Sequence, residues 1–576
     1  MTYEIKMNDA FKGYTDDQDK ILTPEETVRR FRERLNSIDL DILEETVRID
    51  SGRLDIPVYF SVCGKDAESV IGTKKQMGKG GTPQQSEASA VMELAERFSF
   101  FSFCNNPGNF FTDEYRNIKD NVLPFDTIAK SVHDDSEDME RAQAVFSRLP
   151  LKWTWAYNMT RREPVLVPFD WFFTINEFNG PSAGNCLEEA VLQGVCEVVE
   201  RHVSSIISRN RLKTPAINLD SAADPMVRSM VAKFRKAGVR LYATDFSLDT
   251  GIPSVGLLAY DPSTFPNRSE IVWTAGTTPG PEKALSRALT EVAQLAGDFD
   301  TASNYVASGL PKFTDLSDAA FVMDPGSIVD ILALPDLSHD NMKIEAENCI
   351  QALDRGGMDV ILIDVTHSKL KVPALYTIVP GAHFRERAAE TSVGMFSAKL
   401  IAENSDPAGA IHELTLMDQA LPGKYYVKFF LGLSHLNSGA PDRALPFFEA
   451  ALALDPKKED MVSIYSYMGV CLKDLEAYQE AIEKLEAAES HDPERTDVHN
   501  LMGFCYFKLK AHEKAIECFR NVLKLDPASA IDYANIASNY RDMGNRKEAI
   551  RHYRLAIELD PSINFARENL ERLEKG

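Results

Sequence analysis

Residues 179–202 read NGPSAGNCLEEAVLQGVCEVVERH, and residues 78–101 read GKGGTPQQSEASAVMELAERFSFF. Each is a glycine-rich turn running into a helix-like segment, and each segment carries Glu-x-x-Glu-Arg. The first copy is Glu93, Glu96 and Arg97; the second is Glu197, Glu200 and Arg201, with Glu189 about two turns upstream of Glu197. Residues three or four apart share a helix face, so both glutamates of a pair point the same way. On an exposed helix this is an ordinary solvated face. Here the acidic positions are flanked by Ala, Val, Leu and Phe on most sides. A helix apolar nearly all round is buried, and a buried carboxylate must be paired or bind metal. A third segment, EKALSRALTEVAQ at 282–294, adds Arg287, Glu291 and Gln294. Half-buried glutamates beside arginines suit Mg²⁺ and a polyphosphate: hard oxygen ligands for the metal, guanidinium groups for the phosphates.

Working outward, strand-like runs at 58–60, 165–168, 255–260 and 360–365 alternate with amphipathic helices at 84–101, 187–207 and 282–297. This predicts an α/β or α+β domain, with parallel and antiparallel pairing both open. The turn Gly78–Thr82 offers backbone N–H groups and Lys79 to an anion. It is not a P-loop: five residues rather than four separate Gly72 from Gly78, and Gly80 stands where Ser or Thr would hold Mg²⁺.

The C-terminal third repeats. LDP, HDP, LDP and LDP end in Pro456, Pro493, Pro527 and Pro561, and the last two intervals (493 to 527, 527 to 561) are 34 residues. The first (456 to 493) is 37, which a three-residue insertion such as KED at 458–460 explains. Gly432, Gly469, Gly503 and Ala537 share one position, Ala444, Ala481, Ala515 and Ala549 a second, and Phe448, Leu485, Phe519 and Tyr553 a third. Small residues let paired helices approach, large ones fill the space between, and proline stops the second helix. The pattern resembles the tetratricopeptide repeat, which implies an all-α superhelix that holds a protein partner. Four repeats are predicted over 425–561, with a linker or first helix at 411–424 and a capping helix at 562–576.

The bulk numbers bound the function. With 87 acidic and 63 basic side chains the formal net charge is -24, which works against nucleic-acid binding. No stretch approaches the ~20 apolar residues of a membrane span, and the polar, acidic N-terminus lacks the core of a signal peptide. The eight cysteines include no CxxC pair, so inert thiols in a reducing cytoplasm are expected rather than disulfides or zinc.

The three quoted segments, with IDVT at 363–366, VP at 372–373 and IVPG at 378–381, resemble the YcaO family over roughly 15–400. The resemblance implies an ATP- and Mg²⁺-binding domain, placed at 1–410, without a Walker motif. Carried over, Lys20, Thr27, Lys79, Ser89, Glu93, Asn185, Arg201 and Arg287 would contact the nucleotide. Glu93, Glu96, Glu189, Glu197 and Glu200 would hold the metal. Gln84 stands where some relatives carry lysine, and His383 follows Pro-Gly where an acidic residue is frequent. The implied chemistry is ATP-dependent activation of a peptide or protein backbone amide by O-phosphorylation; no general base is assigned. Azoline-forming members commonly end in PxPxP, whereas RLEKG closes this sequence, so the resemblance implies a partner-dependent role such as thioamide formation or assistance to ribosomal-protein methylthiolation rather than azoline synthesis. A sulfur-delivery protein and a homodimer are expected partners. Two other readings are an ATP-binding accessory or scaffold factor, for example for a ribosomal-protein methylthiotransferase, and an ATP-dependent ligase.

Overall fold

The computed structural model describes residues 3–134, 136, 138–301, 305, 307, 309–385, 391–526 and 528–575; Pro527 and Gly576 lie outside them. The chain divides into two units, residues 1–136 with 147–392, and residues 137–146 with 393–576.

Among the described residues the first unit has three sheets, and each carries one of the three motif helices. A three-stranded sheet, Leu43–Arg48, Val58–Cys63 and Lys75–Lys79, packs against Pro83–Cys104. A five-stranded sheet runs in the order Val272–Thr277, Ser254–Tyr260, Arg240–Asp245, Ala216–Asn218, Ile328–Asp330, and packs against Pro281–Leu295. A six-stranded sheet runs Phe111–Glu114, Pro150–Asn158, Ile361–Asp364, Ala374–Ile378, Pro181–Ala183, with Glu163–Pro168 paired to Pro150–Asn158; it packs against Leu187–Asn210. Pairing among these strands is antiparallel except between Ile328–Asp330 and Ala216–Asn218. The predicted strands and helices all correspond to observed ones, and the pairing left open is now antiparallel in the main.

Local chemistry sets where the motif helices begin. Thr82 caps the first by accepting from the Gln85 N–H at 3.2 Å, and Pro83 occupies the first turn. Glu188 and Glu189 stand in the first turn of the second, where carboxylates complement the helix dipole. Pro281 opens the third. Close approach to the sheets needs glycine: a Cβ on Gly78 would overlap the backbone of Ser86 and Ala90, and one on Gly194 would overlap the hydroxyls of Thr377 and Ser182.

The second unit is all helical. Four helix pairs follow one another: Tyr425–Asn437 with Pro441–Leu452, Lys458–Asp474 with Tyr478–His491, Thr496–Lys508 with His512–Leu525, and Ala530–Asp542 with Arg546–Leu559. Asn564–Lys575 closes the stack. Lys458–Asp474 has 17 residues against 13 in each of its three counterparts. The inserted KED therefore forms an extra first turn. Ala444, Ala481, Ala515 and Ala549 are fully buried, as are Phe448, Leu485 and Tyr553, with Phe519 nearly so. Upstream, Val393–Asn404 and Pro407–Ala420 belong to this unit, which therefore starts before the expected linker at 411–424. It also takes in the helix Met139–Phe146, which packs on both of them and has Ala142, Val145 and Phe146 buried. No helix among the described residues is long and apolar enough to cross a membrane, and all eight cysteines are free.

Candidate active site

The three motif helices converge on a cavity of about 320 Å³ in the first unit. Lys20, Thr27, Lys79, Ser89, Glu93, Glu96, Asn185, Glu189, Glu197, Arg201 and Arg287 all line it, together with Arg97, Gln193, Thr290, Glu291 and Gln294. On the second helix the lining residues 189, 193, 197 and 201 advance by four, the spacing of one helix face. Glu200 falls off that face. It is 4% exposed and lies behind Arg201 and Arg287, at 3.7 and 3.2 Å.

Among the described residues, four of the five lining carboxylates, Glu93, Glu96, Glu197 and Glu291, have a basic neighbour; Glu189 does not. Arg97 lies 3.6 Å from both Glu93 and Glu96, and Arg201 lies 3.9 Å from Glu197. Lys79 at the end of its strand contacts Glu291 of the third helix. Arg287 donates through Nε to Glu200 and through a terminal nitrogen to Gln193 Oε1 at 3.0 Å, so two partners on one helix fix its plane. Lys20 enters no ion pair among the described residues. Thr27 donates its hydroxyl to the Thr23 carbonyl at 3.0 Å, within its own helix.

One wall is the N-terminal segment, which is tied to the start of all three motif helices. Glu189 accepts from the Ile21 N–H at 2.7 Å and from the Asn185 N–H and side-chain amide at 2.8 and 3.1 Å. Glu188 accepts from the Asn8 N–H at 2.5 Å, Asp17 from the Gly81 N–H, and the Asp17 carbonyl from Ser286 at 3.1 Å. Lys283 of the third helix donates to the carbonyls of Thr15 and Asp16. Glu189 thus spends its carboxylate on backbone anchoring as well as facing the cavity.

The charges are not at rest. Burial pushes the Glu96 carboxyl well above the usual range; Arg97 opposes this, while Glu93 and Glu197 add to it. Burial raises Glu197 as well, against the pull of Arg201, Arg97 and Arg287. Burial and then Arg287 bring the Lys79 ammonium down to about 7. Arg287 stays firmly charged because Glu200 and Glu197 outweigh its burial. Meanwhile Arg201 Nε is buried without a hydrogen-bond partner among the described residues. The neighbouring bases therefore do not fully offset the burial of Glu96 and Glu197, and Arg201 Nε lacks an acceptor. A metal–polyphosphate supplies a cation and an acceptor at once. Among the described residues no three acidic, His or Cys side chains form a metal cage by themselves; Mg²⁺ ordinarily takes one or two carboxylates plus phosphate oxygens and water, so the donor set fits.

The family described as YcaO cyclodehydratase, ATP- and Mg²⁺-binding, matches residues 77–383. The chain belongs to the YcaO family. Its C-terminal helices match tetratricopeptide-repeat families at 399–459, 496–529 and 533–563. A Methanothermobacter thermautotrophicus protein is 27% identical over 385 residues, covering 62% of this chain and 93% of that one. The ribosomal protein S12 methylthiotransferase accessory factor YcaO of Escherichia coli is 25% identical over 299 residues, 47% of this chain and 48% of that protein. The fold is that of YcaO from Methanopyrus kandleri, a structure with AMPPCP and Mg²⁺ bound. The TM-score is 0.50 at 24% identity, over 65% of this chain and 95% of that one.

Several lining residues escaped the sequence reading. Gln193 was legible in principle, four residues from both Glu189 and Glu197, but a neutral side chain carries no charge signal. Glu291 sits four residues after Arg287 and was seen only as part of a helix face. The N-terminal segment has no periodicity, because its contacts are backbone hydrogen bonds to distant carboxylates.

Proposed function

We propose that this YcaO domain uses ATP and Mg²⁺ to activate a backbone amide of a peptide or protein, and that the repeats recruit the substrate or a partner. The observation that carries this is the shared cavity where partly neutralised carboxylates face an arginine whose Nε has no acceptor among the described residues. Mg²⁺, when bound, neutralises charge on the phosphates.

The chain's own residues do the rest by position and charge. Arg201, Arg287 and Lys79 would hold phosphate oxygens, and Glu93, Glu96 and Glu197 would face the metal. Glu200 and Gln193 fix the plane of Arg287, and Glu189 with Asn185 keeps the Lys20 segment against the cavity. Phosphoryl transfer needs in-line placement and charge stabilisation more than a covalent protein nucleophile. A nucleophile adds to the amide carbon, and the resulting oxyanion takes the γ-phosphoryl group as its bond to ADP breaks. The carbon–oxygen bond then breaks and phosphate leaves with the former amide oxygen. With a sulfide-equivalent nucleophile the product is a thioamide, which we favour; the sulfur would come from a delivery protein, and we infer a homodimer. A metal contact from Glu189, the nucleotide contacts at Thr27 and Ser89, and the repeats at 425–561 belong to the same proposal; Glu200, paired with Arg201 and Arg287 off the cavity face, is a positioning residue rather than a metal ligand.

The test is peptide-stimulated release of ADP and phosphate, compared with Glu197→Ala and Arg201→Ala. Loss of about 10²-fold or more in either variant is expected. Tight nucleotide binding without turnover across peptides would favour the second reading, an ATP-binding accessory factor. The similarity to the E. coli protein of that description supports keeping it.

A further inference from the structure

On another side of the second motif helix from the nucleotide cavity lies a second cavity of about 440 Å³, also within the first unit. Ile206, Met358 and Pro380 give it apolar walls, and Lys130, Asp249 and His202 bring charge and hydrogen bonding. His202 is 8% exposed. Its Nδ1 accepts from the His383 N–H at 3.0 Å. An imidazole nitrogen that accepts carries no proton, so the neutral ring must carry its proton on Nε2. That second N–H meets no partner among the described residues, in a side chain that lines the cavity. His383, stacked on His133 with centroids 3.6 Å apart, holds the arrangement from behind. Lys130 is exposed and donates to the Gly357 carbonyl at 3.1 Å, which leaves two of its three protons for another acceptor.

We propose that this cavity binds a small aliphatic carboxylate. The carboxyl oxygens would accept from His202 Nε2–H and the Lys130 ammonium, and the aliphatic body would lie against Ile206, Met358 and Pro380. Asp249, exposed beside the cavity, would receive an α-ammonium, so an aliphatic α-amino acid satisfies all three groups. Burial of the rest of the ring and the bond at Nδ1 fix the tautomer, so the Nε2–H is presented to the cavity with no protein acceptor among the described residues. Water alone would meet the donor but not the apolar walls. The inference needs no nucleotide chemistry and stands if the proposed reaction fails.

The experiment is calorimetric or ligand-observed NMR titration of the full chain with 4-methylpentanoate, L-leucine and isoamylamine, which share one body and differ in their charged groups. The acid is expected to bind, leucine at least as tightly, and the amine about tenfold or more weakly. Lys130→Met should weaken the acid about tenfold or more without moving the melting temperature, because Lys130 is exposed; His202→Phe should abolish binding. If His202→Phe fails to fold, Lys130→Met decides. Equal binding of amine and acid, no binding of any probe up to the solubility of leucine, or wild-type affinity in Lys130→Met each overturns the assignment.

Discussion

Gln193 is the residue whose placement most changes the reading of the site. Its side-chain oxygen takes one terminal N–H of Arg287 while Glu200 takes Nε. Replacing Gln193 by Leu should leave the arginine charged but free to turn. We expect KM for ATP to rise about five- to tenfold, roughly 1 kcal/mol and the size of one ordinary lost hydrogen bond, with kcat falling less. A KM unchanged in steady-state ADP release would rule this out. Glu96 makes a prediction about protons. Its carboxyl is raised in the fold, above the ordinary glutamate value of about 4.3. A raised carboxyl binds its proton more tightly folded than unfolded. The ligand-free protein therefore gains stability as pH falls through the raised value toward the ordinary one, and loses it as pH climbs back. Mg²⁺ and ATP need the deprotonated form, so binding should release protons and weaken as pH falls. Calorimetry in buffers of different ionisation enthalpy measures that release directly; a proton count of zero at every pH sinks the claim. The acidic pairs were legible because like charges three residues apart on an apolar helix demand explanation. The aim of Glu200, toward two arginines and away from the cavity, was not, since one step around a helix is 100° and the resemblance does not fix rotation.

At the scale of elements, the site exists because three sheets each press one helix toward a common point, and the contacts are close enough to exclude a methyl group. Gly194 meets Thr377 and Ser182 where the second motif helix crosses its sheet. Gly194→Ala should lower stability by about 1–3 kcal/mol through overpacking. It should also widen the cavity mouth, read as a lower melting temperature together with weaker nucleotide binding; a variant that melts like the wild type would mean the helix shifts freely. These helices announce themselves in sequence through caps, prolines and periodicity. Their sheets do not, because a buried run such as Ser254–Tyr260 looks the same whether its neighbours run parallel or antiparallel. The repeats were legible in finer detail, since each unit restates the same small and large positions. Phe448, fully buried, illustrates the cost of breaking that code: Phe448→Ala should remove about 3–5 kcal/mol. Hydrogen exchange should quicken chiefly in Tyr425–Asn437, Pro441–Leu452 and Lys458–Asp474, because repeat stability is a sum of neighbour terms; uniform acceleration to Leu559 would contradict that additivity.

For the whole molecule, the sequence order and the spatial order part company at one place. Nothing in residues 137–146 resembles a repeat, so the sequence reading assigned them to the catalytic region. The helix Met139–Phe146 nevertheless packs on Val393–Asn404 and Pro407–Ala420, with Ala142, Val145 and Phe146 buried. On a ribosome that helix is made some 247 residues (146 to 393) before its packing partners exist. At about 5–20 residues per second its apolar face waits roughly 12 to 50 seconds in the open. The two halves of this chain are therefore not interchangeable cassettes. A gene fragment ending at Ser392 would carry an orphaned sticky surface, and a fragment starting at Val393 would lack the helix that covers its own first pair, so the pair must be inherited, expressed and engineered as one continuous reading frame.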